Sequence, residues 1–186
     1  MGRRILNKRI LFISLSVAVL LTDQLSKFWA ATRLNGPYGP FRDVKVLGNF
    51  LTLAYTQNSG IALGLFGDSG ASTKWLLVVV SIGAAIFVLT YMIRVSRSAT
   101  LLMAALSLLL AGILGNLFDR FFHGYVIDFI SFQYNGWQFP VFNLADAAIS
   151  VGAVLMGFDL LFGSGKVNES EDLAPVPEHV NLDENI

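Results

Sequence analysis

Two carboxylates mark the most chemically loaded stretch of this chain. Asp128 stands between Ile127 and Phe129, and Asp146 is followed at once by Ala147-Ala148-Ile149. The stretch from Asn116 to Asp146 also holds Asp119, Arg120 and Asn143, in a chain of which 14% is charged. Carboxylates are costly to bury, so side chains of this kind inside apolar sequence call for a reason. If folding brings Asp128 and Asp146 together, both cannot ionise cheaply and the pair shares a proton. The ionised member then takes a proton from water while the protonated one polarises a carbonyl, which is hydrolysis by a carboxylate pair. Arg120 and the carboxamides of Asn58 and Asn116 are donors able to hold a peptide backbone or a developing oxyanion.

Other chemistries have little to work with. The chain has no cysteine, which removes disulfides, zinc–thiolate sites and thiol nucleophiles. Its two histidines are His123 and His179, the latter in an acidic tail, and no His-Glu-x-x-His occurs, so no metal site and no cofactor are expected. Ser59, beside Asn58, is the nearest candidate serine nucleophile, without an identifiable base. Zero net charge and the lack of a basic stripe give no reason to expect nucleic acid as a partner.

The elements that must position these residues are membrane helices. Hydrophobic residues make up 54% of the 186, against about 45–50% apolar and about 25% charged residues in a soluble domain. Four apolar runs, 10–31, 75–93, 100–118 and 145–162, are long enough to span a bilayer. The first follows a basic stretch with Arg3, Arg4, Lys8 and Arg9, and reads as a retained helix rather than a cleaved signal peptide. Lys74-Trp75 and Tyr91 with Arg94 flank the second as interfacial anchors.

Two long connections, 32–73 and 119–144, carry strand signals. Residues 50–56 alternate and are rich in strand formers, and Asn58-Ser59-Gly60 follows as a turn. Asn135-Gly136 between two runs of β formers predicts a hairpin. The fold class is thus membrane all-α, four transmembrane helices with a small extramembrane β-cradle, forming a single domain over 1–163. Residues 164–186 are polar and acidic and are expected to be a disordered cytoplasmic tail.

Arg3, Arg4, Lys8, Arg9, Arg94 and Arg97 crowd the N-tail and the short loop between helices 2 and 3. The positive-inside rule then places both termini in the cytoplasm and both long connections outside. Asp23, Lys27, Asn116, Asp119, Arg120 and Asp146 all gather at the outer ends of their helices, as a site reachable by water would require. Each has a plainer alternative. Asp23 and Lys27 are spaced for a local i,i+4 ion pair. Arg120 could snorkel with Asp119 as counter-ion. Asp146 has N3 spacing from Asn143 and could simply cap helix 4, and Asp128 could face outward on a half-exposed strand.

Five blocks of the sequence resemble, in order, those of lipoprotein signal peptidase, the type II bacterial signal peptidase. They are Asp23-Gln24-Leu25-Ser26-Lys27, Asn58-Ser59-Gly60-Ile61-Ala62-Leu63-Gly64, Gly112 to Arg120, Val126-Ile127-Asp128-Phe129 and Phe142-Asn143-Leu144-Ala145-Asp146. Leu63 and Ala111 depart from the usual Phe and Gly of that family. The resemblance implies an aspartic endopeptidase of the bacterial inner membrane with Asp128 and Asp146 as its catalytic pair. It implies that Asn58, Gly60, Asn116, Arg120 and Asn143 position the substrate or the pair, with Asp119, Asp23 and Lys27 in support. The implied substrates are prolipoproteins bearing diacylglycerol on a cysteine, cut just before that residue among membrane lipids. Inhibition by globomycin, no metal and a monomeric enzyme are further expectations. Outside that family, the rival readings are a small transporter or channel lined by Asp, Lys and Arg, and a non-catalytic assembly subunit. A movable flap over residues 60–70 is a further expectation, from the length and glycines of the first connection.

Overall fold

The computed structural model describes residues 2–35, 43–60, 70–95 and 99–162. The expected flap lies almost wholly outside the described residues, as does the acidic tail. Helix α1 (Gly2–Arg33) leads into strands β1 (Val44–Leu47) and β2 (Leu51–Asn58), then α2 (Gly70–Arg94) and α3 (Thr100–Phe122). Strands β3 (Val126–Tyr134) and β4 (Trp137–Gln138) precede α4 (Leu144–Phe162).

All four helices are long and apolar enough to cross a membrane: 10–33, 72–94, 100–122 and 144–162. Even 19 residues at about 1.5 Å each approach the ~30 Å thickness of a hydrocarbon core. Helix α3 is the hub, with 44% of its apolar window buried against 17–22% in the other three. The outward faces of α2 and α4 present Ile86, Phe87, Val154 and Leu161, as expected for surfaces in contact with lipid.

Small residues let α3 and α4 approach closely, as membrane helices do when no hydrophobic force drives them together. A Cβ on Gly112 would collide with the Ala145 carbonyl oxygen, and one on Gly152 would lie 2.8 Å from the Ala105 carbonyl. At the far end from the sheet, Phe12, Val88, Met92, Met103, Leu106 and Leu109 form one apolar cluster. A second cluster, Ala30, Leu34, Tyr55, Ile127 and Phe129, seats the end of α1 against the strands.

The strands form one antiparallel sheet in the order β1-β2-β3-β4. The two long connections therefore build a common structure, with Thr56 opposite Asp128 and Asn58 opposite Val126. The expected hairpin is present: Asn135 and Gly136 have φ of 48° and 81°, the pair of positive values that a type I′ turn demands. Strand β1 was not anticipated, and Asn58 ends a strand rather than opening a turn. Helix α3 runs past its expected end at Phe118 to Phe122, where the chain reaches Gly124 with φ 85°.

One short link sets the position of everything downstream. The Phe142 carbonyl accepts from the N–H groups of Phe129 and Ile130, and Phe142 N–H donates to the Ile130 carbonyl. This bridge fixes the entry to α4 against β3, so Asn143 emerges beside Asp128.

Candidate active site

Asp128 lies in the part of β3 that is buried on both faces, and is 1% exposed. It is not the outward-facing residue of a half-exposed strand. Asn143 Nδ2 donates to its Oδ1 at 2.6 Å and Asn58 Nδ2 to its Oδ2 at 2.9 Å. Burial pushes the Asp128 carboxyl up to about 6, with the negative charge of Asp146 adding to the effect. The two carboxamide donors and, more distantly, Lys27 pull the other way.

Asn58 sits at the exposed mouth of this arrangement and is itself oriented. Gly60 N–H donates to Asn58 Oδ1 at 2.9 Å, which leaves Nδ2 for Asp128. Gly60 has φ 76°, a left-handed backbone conformation that favours glycine.

Asp146 is half-buried in the first turn of α4. Its Oδ1 accepts from Asn116 Nδ2 at 2.7 Å, and its Oδ2 accepts from the Asn143 N–H at 3.3 Å. Asp146 N–H donates in return to Asn143 Oδ1 at 2.9 Å. Asn143, with 0% exposure, thus contacts both carboxylates at once. The carboxamides of Asn116 and Asn143 also meet, Nδ2 of the latter lying 3.3 Å from Oδ1 of the former. Aspartates 18 positions apart in the sequence are joined by two asparagines whose oxygen and nitrogen ends are fixed by their partners.

Behind the pair lies a buried charge cluster. Lys27 Nζ lies 2.9 Å from Asp23 Oδ2, 3.0 Å from Asp119 Oδ2 and 3.0 Å from Asn116 Oδ1. All three hydrogens of the ammonium can thus be used. The Asp23–Lys27 pair is not merely local, and Asp119 forms its ion pair with Lys27 across helices rather than with its neighbour Arg120. Gln24, to which the sequence assigns no part, belongs to the same cluster. Its Nε2 lies 3.2 Å from both Asp23 Oδ2 and Asp119 Oδ1, and 3.1 Å from the Gly115 carbonyl. A carboxamide between Asp23 and Lys27 on an apolar helix was the signal available.

Arg120 is half-buried and within electrostatic reach of Asp146, Asp119 and Asp128. Its Nη1 lies 3.5 Å from the Asn116 carbonyl, while its buried Nε has no partner among the described residues. An unpaired guanidinium nitrogen within electrostatic reach of these three carboxylates is a donor with room for a further acceptor. Among the described residues, no three His, Cys, Asp or Glu side chains form a group suited to a metal ion.

Comparison with known proteins identifies the family of the chain. A model of the signal peptidase (SPase) II family matches residues 15–162. A lipoprotein signal peptidase of Yersinia enterocolitica is 36% identical over 159 residues, covering 86% of this chain and 91% of that protein. One from Pseudomonas fluorescens strain Pf0-1 is 37% identical over 163 residues, covering 87% and 93%. A solved structure described as a bacterial membrane enzyme is similar with a TM-score of 0.70 and 30% identity, over 81% of this chain and 92% of that one. The family match begins within α1 and ends with the last residue of α4, taking in every side chain of the site, and the chain therefore belongs to the signal peptidase II family.

Proposed function

We propose that this chain is an aspartic endopeptidase that removes signal peptides from diacylglyceryl-modified prolipoproteins, cutting just before the lipidated cysteine, with Asp128 and Asp146 as the reacting pair. The observation that carries the reading is the convergence of two carboxylates, from β3 and α4, on the single residue Asn143, Asp128 at its carboxamide and Asp146 at its backbone N–H. Family membership supplies the peptidase and its class of lipoprotein substrate.

Asp128, pushed up to about 6, carries the shared proton and donates it to the scissile carbonyl oxygen. Asp146, held by Asn116 and the Asn143 N–H, takes a proton from the attacking water, whose oxygen bonds to the carbonyl carbon. The tetrahedral intermediate then collapses. Its C–N bond breaks, the leaving cysteine nitrogen takes the proton held by Asp146, and one hydroxyl of the intermediate returns its proton to Asp128 as the new carbonyl forms. The guanidinium of Arg120, half-buried and with its Nε unpaired among the described residues, and the carboxamide of Asn58 would hold substrate carbonyls.

The excess of Arg and Lys in the N-terminal stretch and the α2–α3 loop supports termini in the cytoplasm and a sheet at the periplasmic face of the inner membrane. There, water can reach the pair from one side and acyl chains from the other. Because the chain has no cysteine, Val46→Cys provides a single label site in β1. It should react with a membrane-impermeant thiol reagent added from the periplasm, and protection there would reverse the orientation.

The central test uses purified protein and a diacylglyceryl precursor, with and without globomycin. Wild-type protein should release the signal peptide, and the antibiotic should block it. Asp128→Asn and Asp146→Asn should each lose about 10²–10⁴-fold in rate while still inserting in the membrane. Substantial cleavage by either variant would remove that residue from the mechanism.

A further inference from the structure

The residue before each reacting aspartate has its backbone N–H bonded to a carboxylate. Ala145 N–H, just ahead of Asp146, donates to Asp23 Oδ1 at 2.8 Å. Ile127 N–H, just ahead of Asp128, donates to Asp119 Oδ2 at 3.1 Å. The acceptors come from different helices, α1 and α3, and are joined twice. Lys27 Nζ reaches an oxygen of each, at 2.9 and 3.0 Å, and Gln24 Nε2 reaches an oxygen of each at 3.2 Å. Asp23, Lys27 and Asp119 are each no more than 1% exposed.

We infer that Asp23, Gln24, Lys27 and Asp119 form a clamp that sets the spacing of the reacting aspartates through the peptide N–H preceding each one. The inference rests on the assignment of Asp128 and Asp146 as the reacting pair. In the clamp, Asp23 holds the α4 end, Asp119 holds the β3 end, and Lys27 with Gln24 fixes the distance between the two holders. A third arm runs from Lys27 Nζ to Asn116 Oδ1, which turns Asn116 Nδ2 toward Asp146. Stability alone would not call for this arrangement. Replacing a buried ion cluster by apolar side chains is often neutral or stabilising, but apolar side chains cannot accept an N–H at two chosen points. Reacting groups must be held to about 0.5 Å, and a misplacement of about 1 Å can cost on the order of 10²-fold in rate. These four side chains are thus positioning residues, not catalytic ones.

Asp119→Asn and Asp119→Leu test the claim as a matched pair. Both remove the same charge, leave Lys27 with Asp23 and have similar volume. They differ in whether position 119 can still accept the Ile127 N–H. The Leu variant should lose about 10²-fold in kcat with KM changed less than about twofold, and the Asn variant should stay within about tenfold of wild type. Asp23→Asn and Asp23→Leu should repeat the pattern through Ala145. Equal kcat in the two members of a pair, or a loss carried wholly by KM, would overturn the clamp. If the Leu variants fail to fold, the Asn variants decide it: retained kcat supports the clamp, and a loss as deep as that of Asp128→Asn overturns it. Turnover by Asp128→Asn would instead defeat the underlying assignment, so the two failures are told apart.

Discussion

Asn143 and Asp146 hold each other: Asp146 N–H donates to Asn143 Oδ1 at 2.9 Å, and Asn143 N–H donates to Asp146 Oδ2 at 3.3 Å. This is the reciprocal geometry of a helix N-cap, so capping and a place in the site are not alternatives for Asp146. One oxygen ties the carboxylate to its helix and the other meets Asn116. The helix start thereby becomes the rigid mount of a reacting group.

The double duty of Asn143 can be separated by substitution. Asn143→Ser keeps a capping oxygen but is too short to donate to Asp128, whereas Asn143→Ala loses both contacts. Both variants should lose about 10²-fold or more in turnover, while Ala should be less stable than Ser by about 1 kcal/mol. Near-normal cleavage by the Ser variant would show that the 2.6 Å contact with Asp128 is dispensable.

The raised carboxyl of Asp128 makes stability depend on pH. Its value moves from 3.8 to about 6 on folding, so between those limits the folded chain binds more protons than the unfolded one. Stability contributed by this group is present below about pH 4 and is lost as pH rises through about 6. Asp128→Asn cannot lose it. Measured in detergent, the stability of the variant relative to wild type should improve by about 2 kcal/mol between pH 4 and pH 7. An unchanged difference would mean that Asp128 is not perturbed. In the same way, the activity of the wild type should fall on the alkaline side as Asp128 gives up its proton.

The reaction as written needs no metal ion. Incubation with a chelator should leave the cleavage rate within experimental error, and strong inhibition reversed by adding a divalent cation would overturn the carboxylate-pair mechanism.

The helices and the Asn135-Gly136 hairpin were legible because hydropathy and turn chemistry are local signals. Strand β1 has only a weak local signal: Gly48-Asn49 separates Val44–Leu47 from β2, and Gly48 has φ 52°. Its four residues are all exposed, so no alternation of buried and exposed side chains marked them. The members of the site could be listed from their types, but not their partners. Asp23 and Lys27 offered each other an ion pair one helical turn apart, and Asp119 had Arg120 beside it. The pairing of Asp119 with Lys27 spans 92 positions and exists only once α1 and α3 are packed. The backbone N–H groups that Asp23 and Asp119 accept were equally invisible, because every residue but proline has one.

Close packing of α3 on α4 is the last requirement of the site, since Asn116 must reach Asp146 across that contact. Gly112 lies one turn below Asn116, and a Cβ on it would meet the Ala145 carbonyl oxygen and, at 2.6 Å, Ile149 Cγ1. The carbonyl belongs to the backbone of the first turn of α4, at the residue clamped by Asp23, so it cannot yield without moving Asp146. Gly112→Ala should destabilise the protein by about 1–3 kcal/mol and lower turnover more than that loss explains, because the 2.7 Å contact of Asn116 is broken in the folded fraction. Gly157→Ala, in the same helix pair with nothing within 4 Å of the added methyl, is the control and should be neutral or slightly stabilising. The measurement is thermal unfolding in detergent alongside kcat for both variants. Wild-type turnover in Gly112→Ala would show that the α3–α4 distance does not set the geometry of the pair.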